Sequence, residues 1–511
     1  MKTKKVFLVD PPCQDNRYNR FPLGLGYIAA NISDICDVKV VILENNKKSH
    51  ITFLNDLIFE KVDIVGISCT SLNVIDVFAL TREIKLLNPN IIIVLGGPQA
   101  TAQPKETILY DETIDYLIVG QGEEVFKKFI VSLERDEQVD NIEGLVNNNT
   151  FSLGKTSSAV ACSRIDGGNY DYPMKHLPIK PKDVKEKYRL RYVPGSILTS
   201  RGCANQCSFC TVSLGKQLCF TPIEKVVKEI RFLHEEYGVT ELIINDADFF
   251  ANTHRAIEII RRIKNIGYIR KISLNSCVHS IIKIKDKLDS ILNGMEWEFE
   301  IGIESVCPEQ LVRYNKRVTA EQNCSALDTL FIAKQKHNIK IDLDMILFDP
   351  YSSMSDFSHF FEFVEKYNLE SSEYEDILTS ITFLFPGTKL REQAIMDGLA
   401  KNTLGTASFV FQDSNVAILY SSILWFSRFV MPEIDEIRNQ IDAKIANNIA
   451  HIERIALFKM KKKYNRIMFA FFKEAFDYIN DGREINELLK NYKDRVLIAK
   501  ENLNNVLGME K

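Results

Sequence analysis

The chain has no run of about 18 uninterrupted apolar residues, the length a membrane-spanning helix needs. Met1-Lys2-Thr3-Lys4-Lys5 leads straight into a strand-like Val6-Phe7-Leu8-Val9, too short for the apolar core of a secretion signal. A basic excess is also missing. The net charge is −4, which argues against a broad nucleic-acid-binding face. Basic runs such as Lys459 to Lys463 read as solvated helix faces. There is no internal repeat and no low-complexity tract. Eleven cysteines without a leader argue against a disulfide scaffold and fit a reducing compartment, the cytoplasm. Apolar residues are plentiful: 45% of 511 residues is enough to fill the cores of two to four domains.

Against that background, one stretch stands out. Arg201-Gly202-Cys203-Ala204-Asn205-Gln206-Cys207-Ser208-Phe209-Cys210 places three cysteines in a CxxxCxxC spacing. Thiolates are soft ligands that suit zinc and iron–sulfur clusters. A zinc site wants a fourth Cys or His at matched spacing. Cys219 lies beyond the loop, but no CxxC or HxxxH partner follows it. Three thiolates can instead hold three corners of a four-iron cluster and leave the fourth iron open to a small chelating molecule. The loop follows an apolar segment, Val193 to Leu198, and precedes a helical pattern from Pro222 to Tyr237. A ligand-bearing loop at the carboxyl end of a strand is where an α/β barrel carries its chemistry.

The flanking sequence alternates strands and helices on both sides of this loop. In residues 1–150 the apolar segments Val6–Val9, Val38–Leu43, Val62–Ser68, Ile91–Leu95 and Tyr116–Val119 alternate with amphipathic helices. That pattern predicts a doubly wound parallel sheet with its ligand at the strands' carboxyl ends. The residues there are Pro11, Pro12, Ser68 to Asn73, Gly96-Gly97-Pro98-Gln99 and Gly120-Gln121-Gly122-Glu123. Residues 151–190, with Gly167-Gly168, Pro173, Pro178 and Pro181, read as a linker, of which 166–177 could close over an active site. Residues 191–395 resume the alternation in six strand–helix units, predicting a partial barrel. Its strands end in Asn245-Asp246-Ala247-Asp248, Glu304-Ser305, Asp349-Pro350 and Phe385-Pro386-Gly387-Thr388. Residues 396–511 are helical, with expected helices at Asn415–Val430, Asp435–Leu457 and Arg466–Ile479. The aromatics Phe469, Phe471, Phe472, Phe476 and Tyr478 are expected in its core.

The CxxxCxxC motif with Phe209 before its last cysteine resembles the radical S-adenosylmethionine (SAM) enzymes. The resemblance implies that Cys203, Cys207 and Cys210 hold a 4Fe-4S cluster whose open iron chelates SAM. It places Phe209 near adenine, Asp246 at the SAM amino group, and Glu304 and Ser305 at the ribose. An Asp after a strand is also a common helix N-cap, and that reading stands beside the first. The spacing of Gly26, Ser68-Cys69-Thr70 and Gly96-Gly97 is similar to that of the cobalamin-binding Rossmann-like domain. It implies cobalamin at Ser68, Thr70, Gly96, Gly97, Gln99, Gly120 and Glu123, although a domain of this fold can also be vestigial. The family's Asp and axial His are replaced by Phe21 and Leu23, so the cobalt would have no His ligand.

The whole is most similar to the cobalamin-binding, class B radical SAM methyltransferases. The fold class implied is α/β: a Rossmann-like front domain, a partial (β/α)6 radical SAM barrel and a helical C-terminal domain. The function implied is reductive cleavage of SAM and methyl transfer to an unactivated carbon of a natural-product or metabolite substrate, with a small molecule or peptide as partner. A reducing donor such as flavodoxin or ferredoxin is implied as partner, with no nucleic acid and no membrane span. A radical cyclase, ring-rearranging enzyme or oxidoreductase on the same scaffold, and a non-catalytic iron–sulfur or zinc sensor, are the alternatives.

Overall fold

The protein is described by a computed structural model covering residues 4–12, 21–149, 172–212, 217–371, 374–446 and 451–507. Five parallel strands form most of the front sheet: β1 (Lys5–Asp10), β2 (Asp37–Ile42), β3 (Ile64–Ser68), β4 (Ile92–Gly96) and β5 (Tyr116–Ile118). A short β6 (Leu145–Val146), which the sequence pattern did not indicate, adds antiparallel to β5 and gives the order β2-β1-β3-β4-β5-β6. In β1, Phe7 and Val9 pack into one core while Val6 and Leu8 pack into another. Helices therefore cover both faces of the sheet, which explains the unbroken apolar run.

The barrel sheet has five parallel strands in the order β7-β10-β11-β12-β13. They are β7 (Pro194–Ile197), β10 (Glu241–Ile244), β11 (Lys271–Cys277), β12 (Glu296–Glu304) and β13 (Ile339–Met345). Between β7 and β10, the two-residue strands β8 (Ser200–Arg201) and β9 (Cys219–Phe220) pair antiparallel and bracket the cysteine loop. Along β12, Trp297, Phe299, Ile301 and Ile303 are buried under helices, while Glu298, Glu300 and Glu304 on the opposite face are only partly covered. The expected sixth strand, Ser380–Leu384, is reduced to single bridges, Phe348 with Ile381 and Leu384 with Ala407. Pro350 has no N–H to extend a ladder, and Asp349 just before it is held in a side-chain network instead.

Among the described residues of the connector, Tyr172 to Leu177 do not close over the barrel. Met174 and Leu177 are buried in the front-domain core, and Pro173 packs so closely on Gly26 that a Cβ there would stand 2.8 Å from the Pro173 carbonyl oxygen. The rest of the expected lid, 166–171, lies outside the described residues. The C-terminal helices are Ser414–Phe429, Met431–Ala446, His451–Tyr464, Ile467–Asn480 and Ile485–Leu507. The single helix expected over Asp435–Leu457 is therefore two. The aromatics of Ile467–Asn480 are core: Phe472 packs on Phe348 at 6.1 Å and on Phe361 at 5.1 Å. Among the described residues no helix is long and apolar enough to cross a membrane.

Candidate functional site

The cysteine loop is fixed at both ends by buried polar groups. At its start the Asp246 carboxylate accepts four hydrogen bonds: from Thr199 N at 2.7 Å, Thr199 Oγ1 at 2.6 Å, Ser200 N at 2.9 Å and Ser200 Oγ at 2.7 Å. Arg255 adds bonds to the carbonyls of Thr199 at 2.8 Å and Thr221 at 2.6 Å. At its far end Ser208 N donates to the Tyr314 carbonyl at 2.9 Å, Ser208 Oγ to that of Arg313 at 2.8 Å, and Asn315 Nδ2 to that of Gln206 at 2.7 Å. Arg313 and Tyr314 are tied in turn to the buried Asp349.

Between these anchors Cys203, Cys207 and Cys210 are half-buried. Burial pushes the Cys207 thiol up to about 11, against the pull of nearby Lys316. A thiol in that environment becomes a thiolate when a metal takes its proton's place. Among the described residues no three His, Cys, Asp or Glu side chains converge as the ligands of one metal ion. A cubane makes a different demand, since each thiolate holds a separate iron.

Beside Cys207 is a small pocket whose walls include Asn205, Cys277, His279 and Lys316. Lys316 Nζ lies 3.3 Å from Glu304 Oε1 and donates to the Gly302 carbonyl at 3.0 Å. Glu304 ends β12 at a bulge with a φ of 62°, an uncommon conformation for a side-chain-bearing residue and one that clusters at functional sites. Burial raises its carboxyl pKa, and Lys316 opposes the rise. No motif pointed to Lys316; it follows the short helix Pro308–Arg313, and only the tertiary fold returns it to the strand end.

Two residues expected at SAM are committed elsewhere. Asp246 is neither a helix cap nor open to a ligand, because its four bonds all hold the strand end under the loop. Ser305 Oγ donates to Gln310 and accepts from Cys307 N at 3.0 Å, which settles the start of helix Pro308–Arg313. Phe209 packs edge-on against Tyr314 at 5.3 Å.

The front sheet and the cysteine loop share a cavity of about 330 Å³. Ser68, Gly96, Gly97, Gly120 and Glu123 line it from the front domain, and Leu198 and Arg201 from the barrel. It continues along the sheet past Leu8, Val94 and Phe126. Gly97, with a φ of 101°, brings its backbone so close to Cys69 that a Cβ would stand 2.8 Å from the Cys69 carbonyl oxygen. Thr70 and Gln99, expected here, are not among the lining residues. Thr70 closes a local turn on Asn73, and the Gln99 amide donates to Gln103 at 3.0 Å and Thr107 at 3.2 Å within the helical cover.

Residues 17–130 match the family model of the B12 binding domain, and residues 197–364 that of the radical SAM superfamily. The chain belongs to the radical SAM enzymes that carry a B12-binding domain. It is similar to an uncharacterized methyltransferase of Pyrococcus horikoshii, 29% identical over 412 residues, covering 78% of this chain and 85% of that one. It is also similar to the hopanoid C-3 methylase of Methylococcus capsulatus, 28% identical over 320 residues, covering 60% of this chain and 58% of that one. Its fold is that of the cobalamin-dependent S-adenosylmethionine radical enzyme OxsB, with a TM-score of 0.73 at 15% identity over 100% of this chain and 81% of that one.

The residues present fit the cofactors of this family. The shared cavity is walled by apolar side chains of the sheet and by Gly96, Gly97, Gly120 and Gly122, which leave backbone open to a large flat ligand. None of the described residues lining it is a His, Cys or Met, and Phe21 and Leu23 are buried in the core, so neither of these two is placed to ligate cobalt. Three thiols with an adjoining cation, Lys316, suit an open-cornered cluster and a carboxylate-bearing ligand.

Proposed function

We propose that this radical SAM enzyme transfers a methyl group from SAM to an unactivated carbon of a small-molecule or peptide substrate. The observation that carries the proposal is the shared wall: Leu198 and Arg201, which lead into the cysteine loop, also line the front cavity. A methyl carrier held in that cavity and a radical source held on that loop can reach one substrate between them. The methyltransferases among the relatives support the same reading.

When bound, the cluster with SAM supplies a 5′-deoxyadenosyl radical, and cobalamin supplies the methyl carrier. In this chain Cys203, Cys207 and Cys210 hold three irons. Lys316 pairs with the SAM carboxylate, and Glu304 accepts hydrogen bonds from ribose hydroxyls. Phe209, backed by the buried Tyr314, flanks the adenine. Ser68, Gly96, Gly97, Gly120 and Glu123 seat cobalamin. The electron comes from a reducing donor such as flavodoxin or ferredoxin, and the eleven cysteines support a reducing compartment, the cytoplasm.

The test is anaerobic reconstitution with iron, sulfide and hydroxocobalamin, followed by SAM and dithionite. Methyl transfer predicts S-adenosylhomocysteine together with 5′-deoxyadenosine; cyclisation or simple hydrogen abstraction predicts only the latter. Replacing Cys203, Cys207 and Cys210 with Ala should abolish the cluster spectrum and both products. A protein that carries zinc on this loop and leaves SAM intact is not this enzyme.

A further inference from the structure

We infer that Arg201 is a positioning residue that holds the front cavity in register with the cysteine loop, acting through Glu123. The inference rests on the proposed function. Arg201 is two residues from Cys203, yet its guanidinium reaches three side chains of the front domain, Glu123, Gln121 and Tyr27. Its Nη1 lies 2.5 Å from Glu123 Oε1 and 3.4 Å from Gln121 Oε1, and its guanidinium lies over the Tyr27 ring at 4.6 Å. The two charged side chains are only 15% and 14% exposed, so water screens the pair far less than a surface salt bridge. One nitrogen, Nη1, meets both acceptors while the planar guanidinium covers a ring face, which fixes orientation as well as distance.

Both sides of this contact are rigid. On the loop side, Asp246 holds Thr199 and Ser200, and Gly202 sits against the Gln217 carbonyl, where a Cβ would stand 2.2 Å from that oxygen. On the cavity side, Glu123 opens helix Glu123–Glu134, and Phe126 on the same helix lines the cavity. The helix that walls the cavity is therefore tied through Glu123 to a residue beside the first cluster cysteine. An interface salt bridge with no such role would merely join two domains. This one forms part of the cavity wall and stands next to the loop that carries the cluster.

The full-length protein is reconstituted anaerobically as wild type, Glu123→Gln, Arg201→Gln and Arg201→Lys. Three quantities are read: the electron paramagnetic resonance of the reduced cluster, the Kd for hydroxocobalamin by visible titration, and the ratio of S-adenosylhomocysteine to 5′-deoxyadenosine formed with SAM and dithionite. Glu123→Gln and Arg201→Gln should keep the cluster signal, raise the Kd about tenfold and lower the product ratio about tenfold, as loss of one largely buried charge-assisted contact implies. Arg201→Lys keeps the charge without the fork and should fall between them and wild type. Glu123→Gln leaves the loop's own residues intact, so the test survives if Arg201→Gln fails to fold. Unchanged Kd and ratio in Glu123→Gln would overturn the inference, and so would loss of the cluster in that variant, which would make the pair a support of the loop's fold. If wild type neither binds hydroxocobalamin nor cleaves SAM, the proposed function fails first and takes the inference with it.

Discussion

Lys316 stands 9% exposed between Cys207 and Glu304, which makes it the cation nearest the chemistry and one that no spacing rule announces. A largely buried ammonium needs a counter-charge, and Glu304 supplies one in direct contact. A SAM carboxylate would be a second. Lys316→Ala should therefore weaken SAM binding about tenfold or more, while Lys316→Arg keeps part of it; equilibrium binding of SAM to the reconstituted protein checks this, and equal affinity would remove Lys316 from the site.

Glu229 poses the opposite case. It is 3% exposed in helix Ile223–Tyr237, its Oε1 has no hydrogen-bond partner among the described residues, and burial pushes its carboxyl up to about 7. Below the ordinary value of 4.5 the group is protonated in both folded and unfolded chains and has no effect. As pH rises from there towards about 7, only the unfolded chain releases the proton, so stability falls across that interval and stays lowered above it. Glu229→Gln should remove that slope and stabilise the protein at pH 8 by up to about 3 kcal/mol. Thermal melts of both proteins between pH 5 and 8 measure it.

At the scale of elements, the cysteine loop behaves as a clamp with an open middle. The pair β8 and β9 closes its base, Asp246 locks the strand end that leads into it, and the carbonyls of Arg313 and Tyr314 with the Asn315 side chain hold its far end. Gly202 is the tightest point, with a φ of 78° and the Gln217 carbonyl against its α-carbon. Gly202→Ala adds strain of about 1–3 kcal/mol from the backbone angle alone, before the clash. It should lower the iron and sulfide bound per chain after reconstitution; full cluster content would show that the loop yields. Asp246→Asn tests the other anchor. It leaves the shape and one oxygen for the two N–H groups but turns an amide donor towards the Thr199 and Ser200 hydroxyls, and should cost about 1–3 kcal/mol in thermal stability as well as cluster content.

Across the whole molecule, the barrel's missing sixth strand and the C-terminal helices are two parts of one arrangement. The short bridge at Phe348 leaves that edge to an aromatic seam, in which Phe472 meets Phe348, Phe357, Phe360 and Phe361. Phe472 is fully buried there. Phe472→Ala should destabilise the C-terminal helices by about 3–5 kcal/mol and expose them to protease before the front domain; simultaneous cleavage of both would show that the seam does not hold the helices alone.

Periodicity and spacing determined which segments are strands and helices, the two parallel sheets and the place of the thiol triad, because each depends on residues close together in the chain. The same local signals do not show that Asp246, Ser305, Thr70 and Gln99 are hydrogen-bonded within the protein, since a polar residue at a strand end reads alike whether it faces a ligand or a neighbouring loop. Lys316, the Arg201–Glu123 contact and the cavity between sheet and loop came only from the tertiary structure: each joins residues far apart in sequence, and only packing decides which charge meets which partner and which strand end remains open.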